Sequence, residues 1–281
     1  MKIVFLGTAG WHPSDAGNRT PCVHIPDYNV IFDAGTGLAN PEYLKKMKED
    51  PKGIHLFLSH THIDHVSGMP ALRIYLPKEI PSVTIYAPEE QLINVAGIFG
   101  EGYPFNEDQV NGLSIVKAPG DAKALRHVDI PRAKVFSQTF SHIEDGSPVA
   151  GYKLISDDSR KALVYLVDVA PTKSGPTQEV IDFVKTPSIE KLALICDCYS
   201  MAGHRMTIRD KVGGEFISTP YSSPLTVSEL IKRAGVNQAW LIHPSAQLKR
   251  IKFDDMLLEV KKRVGDSIQV SMPKDGEEVE F

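Results

Sequence analysis

Short apolar runs, each separated from the next by a polar stretch, recur from one end of the chain to the other. In the first half they are Lys2–Leu6, Val30–Phe32, Ile54–Leu58, Val83–Tyr86 and Leu113–Lys117. In the second half they are Lys134–Phe136, Gly151–Ile155, Ala162–Val167, Leu192–Ile195 and Ala239–Ile242. Each is too short for an ordinary helix and rich in Val, Ile, Leu or Tyr, so each predicts a strand. Between some of them the apolar spacing turns helical. Asn40 and Pro41 supply a cap and a first-turn proline ahead of Glu42–Glu49. Pro88–Phe99 places Leu92, Val95, Ala96 and Phe99 on one face, and Thr177–Val184 does the same with Val180, Ile181 and Val184. Thr226-Val227-Ser228-Glu229 reads as a capping box opening a helix through Leu230 and Ile231 that Gly235 stops. Phe253–Val264 carries Met256, Leu257, Val260 and Val264 on one side.

The order of elements is alike in the two halves: hairpin-like strands first, then strand–helix alternation. That order implies an α+β fold. Gly100–Pro104 and Pro119–Pro131 read as irregular, and Leu76 to about Pro131 as a connection between the halves that shapes an opening. Nothing marks a linker or a low-complexity tract, and a single domain over residues 1–281 is expected.

Composition narrows the function classes. Of 281 residues, 42% are hydrophobic and 23% charged, the profile of an ordinary globular protein. A formal charge of −4 gives no electrostatic reason for tight binding to a long nucleic acid, although a small phosphorylated substrate needs only local positive charge. Three cysteines are too few for a disulfide framework. Cys196 and Cys198, two apart on one strand, are expected on the same face as small buried side chains. No signal-type leader opens the chain, and no apolar run approaches the ~20 residues that span a bilayer. A cytoplasmic protein with no membrane partner is the expectation.

The densest chemistry lies in Ser59-His60-Thr61-His62-Ile63-Asp64-His65, directly after the strand Ile54–Leu58. Imidazole nitrogen and carboxylate oxygen suit zinc and neighbouring divalent ions. Four such groups are too many for one open tetrahedral site, so the spacing suggests two adjacent metals. Further donors must come from other strand ends. His142 follows an extended segment, Asp168 ends Ala162–Val167, and His243 ends Ala239–Ile242.

In this order, His60-Thr-His62-Ile-Asp64-His65, His142, Asp168 and His243 resemble the metallo-β-lactamase superfamily, and more narrowly its ribonuclease Z-like and phosphodiesterase branch. Phe5-Leu6-Gly7-Thr8-Ala9-Gly10 and Phe32-Asp33-Ala34-Gly35-Thr36-Gly37 are similar to the same branch. The resemblance runs from residue 2 to about residue 247. It implies a four-layer αββα sandwich. It implies one metal on His60, His62 and His142, a second on Asp64, His65 and His243, Asp168 bridging both, and a hydroxide between them. Asp64 would orient the nucleophile or take its proton. Asp33 would act behind the ligands. His204 would protonate the leaving group or contact phosphate, Asp197 would orient His204, and Arg205 would grip a phosphate. His12 and His24 lie near the N-terminal loops, and His55 reads as structural.

Several features depart from the branch. Asp168 follows Val167 where the family has glycine, and Asp33-Ala34-Gly35 replaces an Asp-Cys-Gly turn. No basic, Gly- and Pro-rich insertion of the kind that clamps tRNA is present, which disfavours tRNA 3′-processing. The leading expectation is a hydrolase of small or cyclic phosphodiesters using two divalent ions, zinc first and manganese or iron as alternatives. Hydrolysis of a lactone, thioester or amide at the same site is the alternative. A non-catalytic binding module and a flavodiiron redox role rank lower. A homodimer is the default for oligomeric state.

Overall fold

The computed structural model describes every residue except 11–17, 50–51, 75–81, 100–112, 119–125, 144–145, 159, 172–174, 200–204, 210–215, 221 and 246–249. Two seven-stranded sheets carry the structure. The first contains β1 (Lys2–Gly7), β2 (Cys22–Ile25), β3 (Val30–Phe32), β4 (Ile54–Phe57), β5 (Val83–Ala87), β6 (Leu113–Lys117) and β16 (Glu277–Glu280), in the order β16-β1-β2-β3-β4-β5-β6. The second contains β7 (Arg126–Ile130), β8 (Ala133–Ser141), β9 (Pro148–Ser156), β10 (Lys161–Leu166), β11 (Lys191–Asp197), β14 (Gln238–Ile242) and β15 (Gln269–Ser271), in the order β15-β14-β11-β10-β9-β8-β7. A separate hairpin pairs β12 (Arg205–Arg209) with β13 (Phe216–Pro220).

Each sheet begins antiparallel and ends parallel. Strands β1, β2 and β3 pair antiparallel, whereas β3 through β6 run parallel. Likewise β7 through β10 are antiparallel, and β10, β11, β14 and β15 are parallel. Parallel neighbours need crossovers, usually helical. The helices are α1 (Pro41–Glu49), α2 (Ile63–Val66), α3 (Met69–Ile74), α4 (Leu92–Phe99), α5 (Gln178–Val184), α6 (Pro224–Ala234) and α7 (Arg250–Val264).

Strand alternation sorts the side chains into three apolar layers. Ile3, Phe5, Phe32 and Phe57 of the first sheet meet Tyr152, Leu163, Tyr165, Ile195 and Trp240 of the second. The alternate residues of the first sheet, such as Val4, Leu6, Ile31 and Leu56, pack beneath Tyr43, Met69, Leu72 and Val95 of the helices. Those of the second, such as Val164, Leu166, Leu194 and Leu241, pack beneath α5, α6 and α7. The central strands are therefore apolar on both faces, which is why they read as continuous runs. The result is a four-layer αββα sandwich. Among the described residues no helix is long and apolar enough to cross a membrane.

Some local expectations need correction. Pro119–Pro131 is not irregular throughout, because Arg126–Ile130 forms β7 against β8. Within the connection expected from Leu76 to about Pro131, β5, α4 and β6 stand where the strand and helix readings of Val83–Tyr86, Pro88–Phe99 and Leu113–Lys117 put them, and β5 and β6 form the first sheet's parallel edge. The capping box sits three residues earlier than read. Ser223 is the cap, its hydroxyl accepting from the Thr226 amide while Thr226 Oγ1 accepts from the Ser223 amide. Pro224 at the first helical position, with its preset φ and no N–H to satisfy, places the start there. Cys196 and Cys198 do share one buried face and are free thiols.

A charged side chain, Lys153, lies inside the outer layer. Lys153 on β9 is 4% exposed, with its ammonium 5.0 Å from the Phe183 ring centroid and donating to the Lys185 carbonyl at 3.4 Å. Burial lowers its pKa to about 8. Between that value and the ordinary 10.5, the unfolded chain holds a proton that the folded chain lacks, so stability rises with pH across this window. Lys153→Met keeps the packing stem and removes the charge. Urea unfolding should show the variant more stable by about 3 kcal/mol below pH 8, with the gap closing by about pH 10.5. A pH-independent difference would contradict the assignment.

Candidate metal centre

The parallel strands of both sheets deliver their carboxyl ends to one edge of the sandwich, where ligand sites of open α/β sheets form. Asp33 follows β3, the histidine loop follows β4, Asp168 follows β10, Asp197 ends β11 and His243 follows β14. Asp33, Asp168 and His243 all take left-handed backbone, with φ of 56°, 55° and 56°. Such φ values are uncommon for residues other than glycine and cluster at functional sites. The turn after β10 is closed by pairing across the site. Asp168 carbonyl accepts from Ile143 N at 2.9 Å, and Val169 bridges His142.

After β4 the chain turns at His62 into the single turn α2, held by His65 N donating to His62 O. His65 O in turn accepts from Ala34 N, and Ala34 O accepts from Gly68 N, each at 2.8 Å. These bonds clamp the loop onto the Asp33-Ala34-Gly35 turn. The clamp requires backbone contact at Gly68, where a Cβ would lie 2.1 Å from the Gly35 carbonyl oxygen.

The structure brings together all of the sequence-derived donors. His60, His62 and His142 form one group whose ligand atoms lie within 4.8 Å of one another, and Asp64, His65 and His243 form another. A third group, His60, His65 and Asp168, overlaps both. Between them, His65 Nε2 lies 3.1 Å from His243 Nε2 and 3.0 Å from Asp168 Oδ2. His243 Nε2 lies 3.1 Å from Asp64 Oδ2 and 3.4 Å from Asp168 Oδ2. His60, Asp64, His65, His142, Asp168 and His243 are all buried, and His62 is half-buried.

The donors fit a cation. His60 Nε2 is buried with no hydrogen-bond partner, an arrangement that costs free energy unless something else occupies its lone pair. The nitrogen and oxygen set is that of zinc and related ions. Burial, together with His65, His142, His62 and His243, holds His60 well below the ordinary imidazole range, in the neutral form a metal needs. Burial also disfavours charge on Asp168, but His243 and His65 outweigh it and hold the carboxyl at about 2. For His65, burial opposes protonation, yet Asp64, Asp33 and Asp168 raise its pKa well above the ordinary value. Carboxylates that attract a proton at this place will attract a cation.

Asp33 stands behind the ligands, fully buried. Its Oδ2 accepts from His65 Nδ1 at 2.7 Å, from Ser59 Oγ at 2.8 Å and from Tyr165 OH at 2.6 Å. Its Oδ1 accepts from Ser59 N at 2.7 Å. Sequence reading gave no role to Ser59, although it opens the histidine motif after β4, and none to Tyr165, which reaches Asp33 from β10 of the opposite sheet. Asp197 is buried, accepts a short hydrogen bond from Ser222 and is raised to about 6 by burial and by the charge of Asp168. His204 and His12 lie outside the described residues. Arg205 opens β12, but its side chain also lies outside them. His55 meets the Tyr86 hydroxyl at 3.3 Å, away from the donors on its strand. His24 packs edge-on to Tyr43.

The family described as Beta-lactamase superfamily domain matches residues 28–243. The chain belongs to this superfamily. Among curated relatives it is 26% identical over 164 residues to ribonuclease Z of Pyrococcus abyssi, a match covering 57% of this chain and 50% of that protein. The chain thus spans about half the length of that relative. It is 23% identical over 302 residues to ribonuclease Z of Methanothermobacter thermautotrophicus, covering 94% of this chain and 92% of the relative. The solved metallo-β-lactamase fold protein YhfI from Bacillus subtilis superposes with a TM-score of 0.70 at 17% identity, covering 99% of both chains. The αββα sandwich expected from the sequence is the metallo-β-lactamase fold of that solved structure, and the chain is similar in sequence to proteins named ribonuclease Z.

A direct check of the loop clamp is Gly68→Ala. The added Cβ must displace the Gly35 carbonyl, so the histidine loop should shift. Thermal melts should fall by several degrees, and cation binding measured by calorimetry should weaken at least tenfold. Unchanged cation binding would show that the clamp does not set the ligands.

Proposed function

We propose that the chain is a metal-dependent phosphodiesterase that binds two divalent cations, zinc first among them. His60, His62 and His142 would hold one cation and Asp64, His65 and His243 the other, with Asp168 available to both. The third donor group, which shares His60 with one of the others and His65 with the other and adds Asp168 between them, carries this reading, because one cation would leave about half of the donors unused. When bound, such a pair supplies a water acidified toward neutrality and positive charge for the phosphoryl oxygens.

The chain's own residues do the rest. Asp64 lies 3.1 Å from His243 Nε2 at the inner edge of the site, where it orients the attacking water and receives its proton. Burial of the donors excludes bulk water and strengthens each charge interaction. His204 protonates the leaving group, Asp197 orients it, and Arg205 contacts phosphate. Support for that half of the reading is the buried Asp197 at the end of β11 and the sequence pattern that follows it. A small or cyclic phosphodiester is the favoured substrate, given the net charge of −4 and the absence of a basic insertion from the sequence. The curated relatives named ribonuclease Z, whose name places their action on RNA, support phosphodiester chemistry. A single domain over residues 1–281 accords with the long alignment to the Methanothermobacter protein.

One observation favours a second reading. A cavity of about 40 Å³ beside Asp197 is walled by Leu166, Val169, Pro176, Val180, Val227 and Leu230. A wall of this kind would accept only a short alkyl group, such as that of a small lactone, thioester or amide. A panel of bis-p-nitrophenyl phosphate, 2′,3′- and 3′,5′-cyclic nucleotides, a tRNA precursor and lactones separates the readings. The proposal expects turnover of the small phosphodiesters with the metals loaded. Lactone turnover alone would transfer the assignment to the second reading, and tRNA cleavage alone would overturn the preference for small substrates.

Asp168→Ala should lose at least one cation and reduce kcat by about three orders of magnitude or more, given what a lost charge-stabilising group costs. Metal analysis showing both cations retained would remove Asp168 from the bridging position.

A further inference from the structure

We infer that Tyr165 is a positioning residue that acts through Asp33 to set the metal-facing nitrogen of His65. The inference rests on the two-cation reading above and extends it to a residue on the opposite sheet. Tyr165 lies on β10 and His65 on the loop after β4. The Tyr165 hydroxyl crosses the sandwich and donates to Asp33 Oδ2 at 2.6 Å. The same oxygen accepts from Ser59 Oγ at 2.8 Å and meets His65 Nδ1 at 2.7 Å. An oxygen accepting at this place makes Nδ1 the donor, which leaves Nε2 to the cation.

Asp33 is fully buried and takes left-handed backbone at φ 56°, a conformation non-glycine residues rarely adopt. Partners must therefore hold it. Ser59 Oγ also reaches Asp33 Oδ1 at 2.9 Å and His60 Nδ1 at 3.0 Å, so its hydroxyl has several competing geometries. Tyr165 has a fixed one. Its ring stacks on Phe32, the residue before Asp33, with centroids 5.1 Å apart and planes 8° apart. The ring thus fixes the backbone leading into Asp33, and the hydroxyl fixes its carboxylate. Because Asp168 is on the same chain segment three residues after Tyr165, β10 places one donor directly and orients another across the interface.

The consequence is selective. The Asp64, His65 and His243 group depends on Tyr165, whereas the His60, His62 and His142 group does not contain His65. Outer partners of metal-bound histidines typically govern 10- to 100-fold in affinity. Tyr152 is the matched comparison. It is equally buried and lies against Phe32 in the same aromatic layer, yet its hydroxyl donates to the Leu58 carbonyl at 2.5 Å rather than to Asp33.

Zinc titration of the apoprotein in competition with a chelator, monitored on Tyr165→Phe, Tyr152→Phe, Asp33→Asn and the double variant Tyr165→Phe/Asp33→Asn, tests the inference without reference to activity. Tyr165→Phe should weaken one of two zinc equivalents by about 10- to 100-fold and leave the other within about twofold. Tyr152→Phe should show no such selective loss, and Tyr165→Phe should add little in the Asp33→Asn background. Equal weakening of both equivalents, an unchanged Tyr165→Phe profile, or additive losses in the double variant would overturn it. Wild-type protein that binds a single zinc or none would overturn the two-cation reading as well, so the two failures are told apart.

Discussion

Buried lone pairs and carboxylates that converge do not tolerate one another, and the architecture of this chain is organised around that constraint. His60 Nε2 has no hydrogen-bond partner, and the Nε2 atoms of His65 and His243 lie 3.1 Å apart beside two carboxylates. Protons can relieve part of this strain, as the upward shift of His65 shows. Cations relieve more of it, because each accepts several lone pairs at once. Metal binding and release of those protons are then two sides of one equilibrium.

Such a cluster needs a frame stiff enough to keep it from relaxing apart. The frame is the apolar layer between the sheets, in which Phe32 lies against both Tyr152 and Tyr165. The same strands that fill the core end at the site. Non-glycine residues held in left-handed backbone at three of those ends mark where packing overrides local preference. The loop clamp at Ala34, His65 and Gly68 joins the first sheet's contribution into one unit. Pairing of His142 with Val169 joins the second sheet's contribution likewise.

How far the sequence disclosed this differs from element to element. The doubly buried strands, such as β10 and β14, announced themselves as unbroken apolar runs. The edges did not. Strand β16 is Glu277-Glu278-Val279-Glu280 and pairs with β1 through its backbone, so its side chains carry no burial signal. Strand β7 likewise holds His127 and Asp129 on the outermost position of the second sheet. Strand β2 is only four residues long and interrupted by His24. At the site, the histidine loop was legible because its donors are adjacent in the chain. His142, Asp168 and His243 became legible only through their order and their resemblance to a known family. The role of Tyr165 was not legible, because a hydroxyl's partner across a sandwich interface is a tertiary fact with no local pattern, and Ser59 was visible in the motif while its bond to Asp33 was not.

The account is tested most directly by anomalous diffraction at the zinc edge from crystals of the zinc-loaded protein. It predicts two peaks about 3.5–4 Å apart, the usual separation of paired catalytic metals. One should lie among His60, His62 and His142 and the other among Asp64, His65 and His243, with Asp168 reaching both. A single peak, or two peaks that leave either group of donors empty, would contradict it.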